Sequence, residues 1–408
     1  MHKLSINNIK NFIKIDHLGV TLMVVLLGWL FAIASINLTV FNPIKKALAD
    51  FSITDIYYEI QGSNGVTEIN RDIVLVDMTE LYDRREIADC IEDITKCEPK
   101  VFVIDLIFER PSYDEAENEY LINAFAGIKN GVVSCKLTDY DSQTDNFRNV
   151  RRSFFDGIDA DITWAFSNVI SGEGYGCIRR YSQNEHLNGK DIYSLPYMAV
   201  CKYTGEKPHV QTPKQRNIEY SNTDFIIVPH DKVIENKKLI KNKIVILGTI
   251  NEEADSHITP LGKMAGMKIQ AYAMLSSMSH HKIYVVSDWV SIIMAILLCY
   301  ISAWAGFLII KNHKFYYAYW LKLYYFFLTA FLVWLNFLLF TRFNCYISLL
   351  YPLLGIAVVE TARLQYKWSS RKAHHDHSYS NITLACYRAC ADNLRIKFFK
   401  KSIYYVGN

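Results

Sequence analysis

The chain has 408 residues, 51% hydrophobic and 14% aromatic, with a formal net charge of +3. A mean hydropathy of +0.05 at this length implies very apolar stretches averaged against polar ones rather than one evenly polar chain. The small charge, and the absence of a basic stripe interleaved with aromatics in the polar middle, give no argument for a nucleic-acid partner.

Residues 1–18, with Lys3, Lys10 and Lys14, precede a charge-free run from Gly19 to Phe41. A bilayer core takes about 20 apolar residues in helix, so residues 19–41 are expected to form a first transmembrane helix. Ala32-Ile33-Ala34 resembles a signal-peptide cleavage site. The apolar run continues beyond it, which favours an uncleaved anchor.

Residues 42–286 are expected to form an outer α/β domain. "DIVLVDM" (Asp72 to Met78) reads as a buried strand. A helix follows from Glu86 to about Lys96, capped by Asp83 with Glu86 able to close a capping box. Ile87, Ile91 and Ile94 share its inner face, and Pro99 stops it. "KVFVIDLIF" (Lys100 to Phe108) is a second strand. The next helix is capped near Ser112, with Ala116, Tyr120, Ile122 and Phe125 facing inward. "GVVSC" is a third strand. This β-α-β-α-β order predicts a mostly parallel sheet flanked by helices. "DYDSQTDNF" reads as an exposed loop, and "ITWAFSNVISGEGYGCIRRY" as paired strands around a glycine-rich turn. A short helix follows in "SLPYMAVCKYTG". Strands resume in "DFIIVPH" and "KIVILGTI", and a last helix runs from about Gly266 to Ser279.

Three further spans are expected. They are residues 287–310, 323–340 and 345–361, with a turn at 311–322 and a kink at Pro352. Lys311, Lys314 and Lys322 mark that turn, and Arg363, Lys367, Arg371 and Lys372 follow the last span. By the positive-inside rule both termini are cytoplasmic and 42–286 lies outside, although Lys45 and Lys46 oppose this. No acidic residue falls in the apolar parts of the spans, which argues against an ion or proton pathway. Residues 362–408 form a basic tail with aromatics, "IKFFKKSIYY", suited to anionic membrane lipid or a partner protein.

Five cysteines fall in the outer region: Cys90, Cys97, Cys135, Cys177 and Cys201. Cys90 and Cys97 stand about 10 Å apart on one helix, too far for a disulfide. Most of the five read as small buried apolar residues.

In open α/β sheets ligands bind beyond the carboxyl ends of the strands. Asp77 with Glu80, Asp105 with Glu109, and Asp255 with His257 after the "KIVILGTI" strand are therefore ligand-binding candidates. The competing reading has Asp77 and Asp105 satisfying local backbone N–H groups. Asp255 and His257 lack the i, i+4 spacing of a zinc protease. "GEGYG" (Gly172 to Gly176) lacks the lysine of a phosphate loop, and no Gly-x-Ser-x-Gly elbow occurs. No catalytic residue and no cofactor are expected. His374, His375 and His377 in the tail are weak metal candidates.

Taken in order, "IVLVDMTE", "PKVFVIDLIFERPS", "GCIRR" leading to "SLPYMAV", "KIVILGT", "DSHITPLG" and "GMKIQAYAMLSSM" resemble the type-two CHASE domain. This is an extracytoplasmic sensory domain of bacterial receptors with one span before it and three after. The resemblance covers roughly residues 45 to 365. It implies a periplasmic sensor in the inner membrane and carries over no catalytic residues. It also implies a fused output domain, for which residues 362–408 are too few. "LYDRRE" departs from the usual Trp/Pro-rich helix entry.

The expected function is therefore a non-enzymatic inner-membrane sensor subunit. It would work as a homo-oligomer or in a hetero-complex and relay to a cytoplasmic effector through 362–408. A structural scaffold subunit of an envelope complex is the alternative. A metal-dependent hydrolase is the third reading, and it requires Asp77, Asp105, Asp255 and His257 to converge.

Overall fold

A computed structural model describes residues 15–37, 55, 58, 68–169, 176–221, 223–251, 256–279, 284–312, 316–343 and 345–375. The chain divides into a sheet unit, Lys45–Ile283, and a helical unit made of Met1–Ile44 with Tyr284–Asn408.

In chain order the described elements begin with helix α1 (Ile15–Asn37), strand β1 (Glu68–Asp77), helix α2 (Arg84–Lys96), β2 (Val101–Ile104), α3 (Glu115–Ala126) and β3 (Gly131–Asp141). They continue with β4 (Asn146–Arg151), β5 (Ile162–Phe166), β6 (Arg180–Ser182), β7 (Asn184–Leu187), β8 (Lys190–Tyr193), α4 (Leu195–Thr204), β9 (Gln215–Asn217), β10 (Thr223–Pro229), the short α5 (Lys237–Ile240) and β11 (Ile244–Gly248). A β12 (Ser256–Thr259), β13 (Gly262–Ala265) hairpin and α6 (Gly266–Met278) complete the sheet unit. The helical unit adds β14 (Tyr284–Val285), α7 (Asp288–Asn312), α8 (Tyr317–Phe343), β15 (Cys345–Tyr346) and α9 (Leu350–His375).

The fold is mixed α/β, with a mostly parallel sheet as expected. Its core order is β10-β1-β11-β2-β3, with β5 on β3, and all of these neighbours are parallel. The β-α-β-α-β order is present, but β11 inserts between β1 and β2, so the first crossover skips a strand. Alternation along the strands explains two buried faces. Val74, Val76, Phe102, Ile104, Val245 and Leu247 pack with α2 and α3 through Ile87, Ile91, Ile94, Leu121 and Phe125. The opposite residues, Ile73, Leu75, Val103 and Ile246, are equally buried, on the side covered by α4 and α6.

Local chemistry sets the helix ends. Asp83 caps α2, accepting from Arg85 N at 2.8 Å. The cap of α3 is Asp114 rather than Ser112, accepting from Ala116 N at 2.9 Å. The inner face of α3 follows the expected one only in part: Phe125 is buried and Ile122 half-buried, but Asn118, Leu121 and Ala124 complete the buried stripe, whereas Ala116 and Tyr120 are exposed. Tyr120 turns outward, where its hydroxyl donates to Asp89 at 3.1 Å.

"DYDSQTDNF" is a hairpin rather than a loop, joining antiparallel β3 and β4. Tyr140 packs tilted against Phe147, with ring centroids 5.0 Å apart, and Arg148 pairs with Asp141 at 2.7 Å across the turn. Among its described residues the following segment does not pair with itself. β5 adds in parallel to β3, and β6 pairs with β9. Most of the glycine-rich turn lies outside the described residues.

In the helical unit, α1, α7 and α9 pack around Val20, Met23 and Val24, Cys299 and Ala303, and Val359 and Ala362. Small residues allow the close approach. A Cβ added to Gly355 would stand 2.6 Å from Cys299 Sγ. Among the described residues two helices, α7 and α8, are long and apolar enough to cross a membrane, not four. The apolar part of α1 is the shorter Asp16–Trp29. α9 starts at Leu350 rather than 345 and meets Glu360 ten residues later. Pro352 sits in its first turn, where its missing N–H has no intrahelical partner to lose, so the expected kink has no cause there. The turn expected at 311–322 is shorter, because α7 reaches Asn312 and α8 begins at Tyr317.

Candidate functional site

Strand register decides whether the strand-end carboxylates share an edge. Asp77 pairs with Gly248, and Ile104 pairs with Leu247, with Asp105 N donating to Leu247 O at 3.0 Å. Asp77, Gly248 and Asp105 therefore form one row across three parallel strands, spanning about 10 Å at two strand spacings. Gly248 lets α6 pack close in that row: an added Cβ would stand 3.0 Å from Met267 Sδ at the start of α6, and the methionine would have to shift. The helix start thus lies directly over the strand end.

The Asp77 carboxylate is engaged locally. Its Oδ1 accepts from Thr79 N at 3.0 Å, from Thr79 Oγ1 at 2.6 Å and from Ile250 N at 3.4 Å. Thr79 Oγ1 and Thr249 Oγ1 lie 2.9 Å apart, and Asn251 N donates to Thr249 Oγ1 at 3.1 Å. One carboxylate and two threonines thus pin the loops after β1 and β11 to each other. The sequence places Thr249 at this edge, as the polar end of the "KIVILGTI" strand; the Thr79 hydroxyl was not among the candidates. The signal is a threonine within two residues of each strand end, in "DMT" and "GT".

The other candidates separate. Glu80 is exposed in the turn after β1. Glu109 is drawn away to Arg151 of β4, at 3.0 Å. His257 sits on β12 opposite Met264, and Asp255 lies outside the described residues. Thr259 is structural: its hydroxyl donates to Gly262 O at 2.8 Å and accepts from Leu261 N at 3.2 Å. Gly262 takes φ +97°, which closes the β12–β13 turn. Among the described residues no three His, Cys, Asp or Glu side chains gather to hold a metal ion. The side chains of His374 and His375, and all of His377, lie outside the described residues.

A second polar network ties the β3–β4 tip to β7. Lys214 Nζ lies 2.7 Å from Asp145 and 2.9 Å from the largely buried Glu185. The Lys214 ammonium, with the Tyr140 hydroxyl, holds the Asp145 carboxyl below its ordinary range. The outer cysteines are buried. Burial pushes the Cys90 thiol up to about 12 and Cys135 to about 11. Such thiols are protonated at neutral pH and poor nucleophiles.

Two aromatic side chains project from the loops that follow β1 and β2. Tyr82 is 89% exposed and Tyr113 fully so. They stand beyond the carboxyl ends of the same strands that carry Asp77 and Asp105.

A model of the CHASE2 domain matches residues 21–308, which is 288 of the 408 residues. No curated protein and no solved structure matches the chain. The chain belongs to the CHASE2 family, a family of extracytoplasmic sensory domains.

Proposed function

We propose that this CHASE2 protein is a non-enzymatic sensor subunit of the bacterial inner membrane. Its sheet unit, within 42–286, lies in the periplasm and senses a ligand or an envelope partner at the carboxyl edge of the sheet. Both termini are cytoplasmic, and the tail 362–408 reaches a separate effector. The chain works as a homo-oligomer or in a hetero-complex.

The observation that carries this reading is the row Asp77–Gly248–Asp105 in a chain of a sensory family. The Asp77–Thr79–Thr249 bonds join two loops there, so an event at the edge moves both together. The close contact of Gly248 with Met267 passes that movement to α6, the last helix before the helical unit. Exposed Tyr82 and Tyr113 favour a protein partner at this edge, because Tyr supplies large contact area at low entropic cost. The same pair favours the scaffold alternative.

A pull-down from native membranes tests the reading, with the whole chain beside one ending at His375. The sensor reading expects a cytoplasmic protein retained by the whole chain and lost from the shorter one. An unchanged set of envelope partners with both would favour the scaffold. A monomer that retains nothing would overturn both readings.

A further inference from the structure

The opposite, amino edge of the sheet carries a group of lysines, with carboxylates such as Asp161 and Glu98 among them. Lys100 and Lys243 enter β2 and β11, and Lys100 N donates to Lys243 O at 2.9 Å. Asn130, preceding β3, donates to Lys100 O at 2.6 Å, which places its neighbour Lys129 on the same edge. Lys96 ends α2, and Lys237 Nζ donates to Lys96 O at 2.7 Å. Residues 231–243, "DKVIENKKLIKNK", hold five lysines against Asp231 and Glu235.

Some of this charge is compensated. Lys96 pairs with Glu92 and Asp93, Lys241 with Glu98, and Lys243 with Asp72. Lys100 lies 4.5 Å over the Tyr203 ring. Among the described residues no carboxylate pairs with Lys100, Lys129, Lys232, Lys237 or Lys238. Between the lysines, Ile234 is 49% exposed and Leu239 is 41% exposed. Exposed apolar side chains set among lysines are the composition of a membrane-surface contact.

The chain leaves the sheet at this edge. α6 starts against Gly248 at the carboxyl edge and runs back across the sheet. Tyr272 OH donates to Thr223 O at the start of β10, and Ser276 and Ser279 meet Glu219 and Arg216 just before that strand. Only residues 280–283 then separate Ser279 from Tyr284, a tether of about 18 Å at most.

We propose that this lysine edge, centred on residues 231–243, rests on anionic phospholipid headgroups of the bilayer in which the chain is anchored. The proposal depends on the membrane reading above. The lysines supply charge complementarity, and Ile234 and Leu239 supply the apolar component. The contact holds the carboxyl edge, with Asp77 and Asp105, turned away from the lipid and open to a ligand or partner.

The test places the whole chain in lipid nanodiscs and follows amide exchange in 231–243. Discs of phosphatidylcholine alone are compared with discs containing about a third phosphatidylglycerol. Exchange slows at least about tenfold in the anionic discs, from several lysines acting together. Raising salt to about 0.5 M, which cuts the Debye length to about 4 Å, removes most of that slowing. The triple variant Lys237→Glu, Lys238→Glu, Lys241→Glu removes it as well, while exchange in β2 and β11 stays as in wild type and reports an intact fold. Equal exchange in the two kinds of disc overturns the proposal, as does slowing that survives the triple variant. A chain that does not enter discs at all overturns the membrane reading itself, a separate outcome.

Discussion

Replacing Asp77 separates a loop-pinning carboxylate from one held ready for a ligand. In Asp77→Ala three donors lose their acceptor: Thr79 N, Thr79 Oγ1 and Ile250 N. A half-buried donor left without a partner costs about 1–3 kcal/mol, and the weak 3.4 Å contact adds little, so about 2 kcal/mol is expected in total. At about 2–4 °C per kcal/mol for a unit of this size, the sheet unit should unfold about 4–8 °C earlier. Asp77→Asn keeps a side-chain oxygen as acceptor and should cost less than about 1 kcal/mol. The assay is alkylation of Cys90 and Cys135 during heating of the whole chain in detergent, read by mass spectrometry. Both thiols are buried in the sheet unit, so they label as it opens. An Asp77→Ala chain that unfolds at the wild-type temperature or above refutes the reasoning. It would mean that the carboxylate contributes nothing to the loops, as at sites where stability is given up for binding.

Three further outcomes follow from the same contacts. Gly355→Leu forces a side chain into the 2.6 Å approach to Cys299 Sγ and should separate α7 from α9. Cys299 should then become reactive to a membrane-permeant maleimide, and continued protection would count against that packing. In Asn336→Leu, the bonds from Asn336 Nδ2 to Ile347 O at 3.0 Å and from Ile347 N to Asn336 Oδ1 at 3.2 Å are lost. Each is worth about 0.6 kcal/mol in a membrane setting, so exchange at the Ile347 amide should rise about threefold to tenfold, with unchanged exchange as the contrary result. Native-state alkylation of Cys135 should run about 100-fold below an ordinary thiol at pH 8. Burial raises its value from 9.0 to about 11, and a raised thiol value leaves less thiolate at every pH below it. Labelling at the free-thiol rate would contradict its burial.

The parallel sheet was legible because its strands are unbroken β-branched runs, and Ile87, Ile91 and Ile94 repeat at helical spacing. The insertion of β11 between β1 and β2 was not legible, since pairing over more than 140 residues leaves no local signal. The β3–β4 hairpin was hidden by its polar composition. Its support comes from the Tyr140–Phe147 contact and the Arg148–Asp141 pair, which exist only once the strands meet. At the site, the sequence placed Asp77 and Asp105 on one edge. It also offered Asp77 as an acceptor for local backbone N–H groups, as Thr79 N and Ile250 N are; the Thr79 hydroxyl bond and the reach of Ile250 N from the loop after β11 were not legible, because they depend on how the two loops meet. In the helical unit the apolar runs were plain. The buried Arg363 was not, because its ion pair with Glu360 forms one helical turn apart, past the end of the apolar run.

The central claim is that the state of the outer edge reaches the tail. Its most direct test is the maleimide labelling rate, in intact cells, of Cys386 and Cys390, the two cysteines within residues 362–408. Wild type is compared with Thr249→Val, which removes the hydroxyl joining the two edge loops. The account predicts labelling by a membrane-permeant reagent only, at a rate that differs between the two chains. Labelling by an impermeant reagent, or the same rate in both chains, would contradict it.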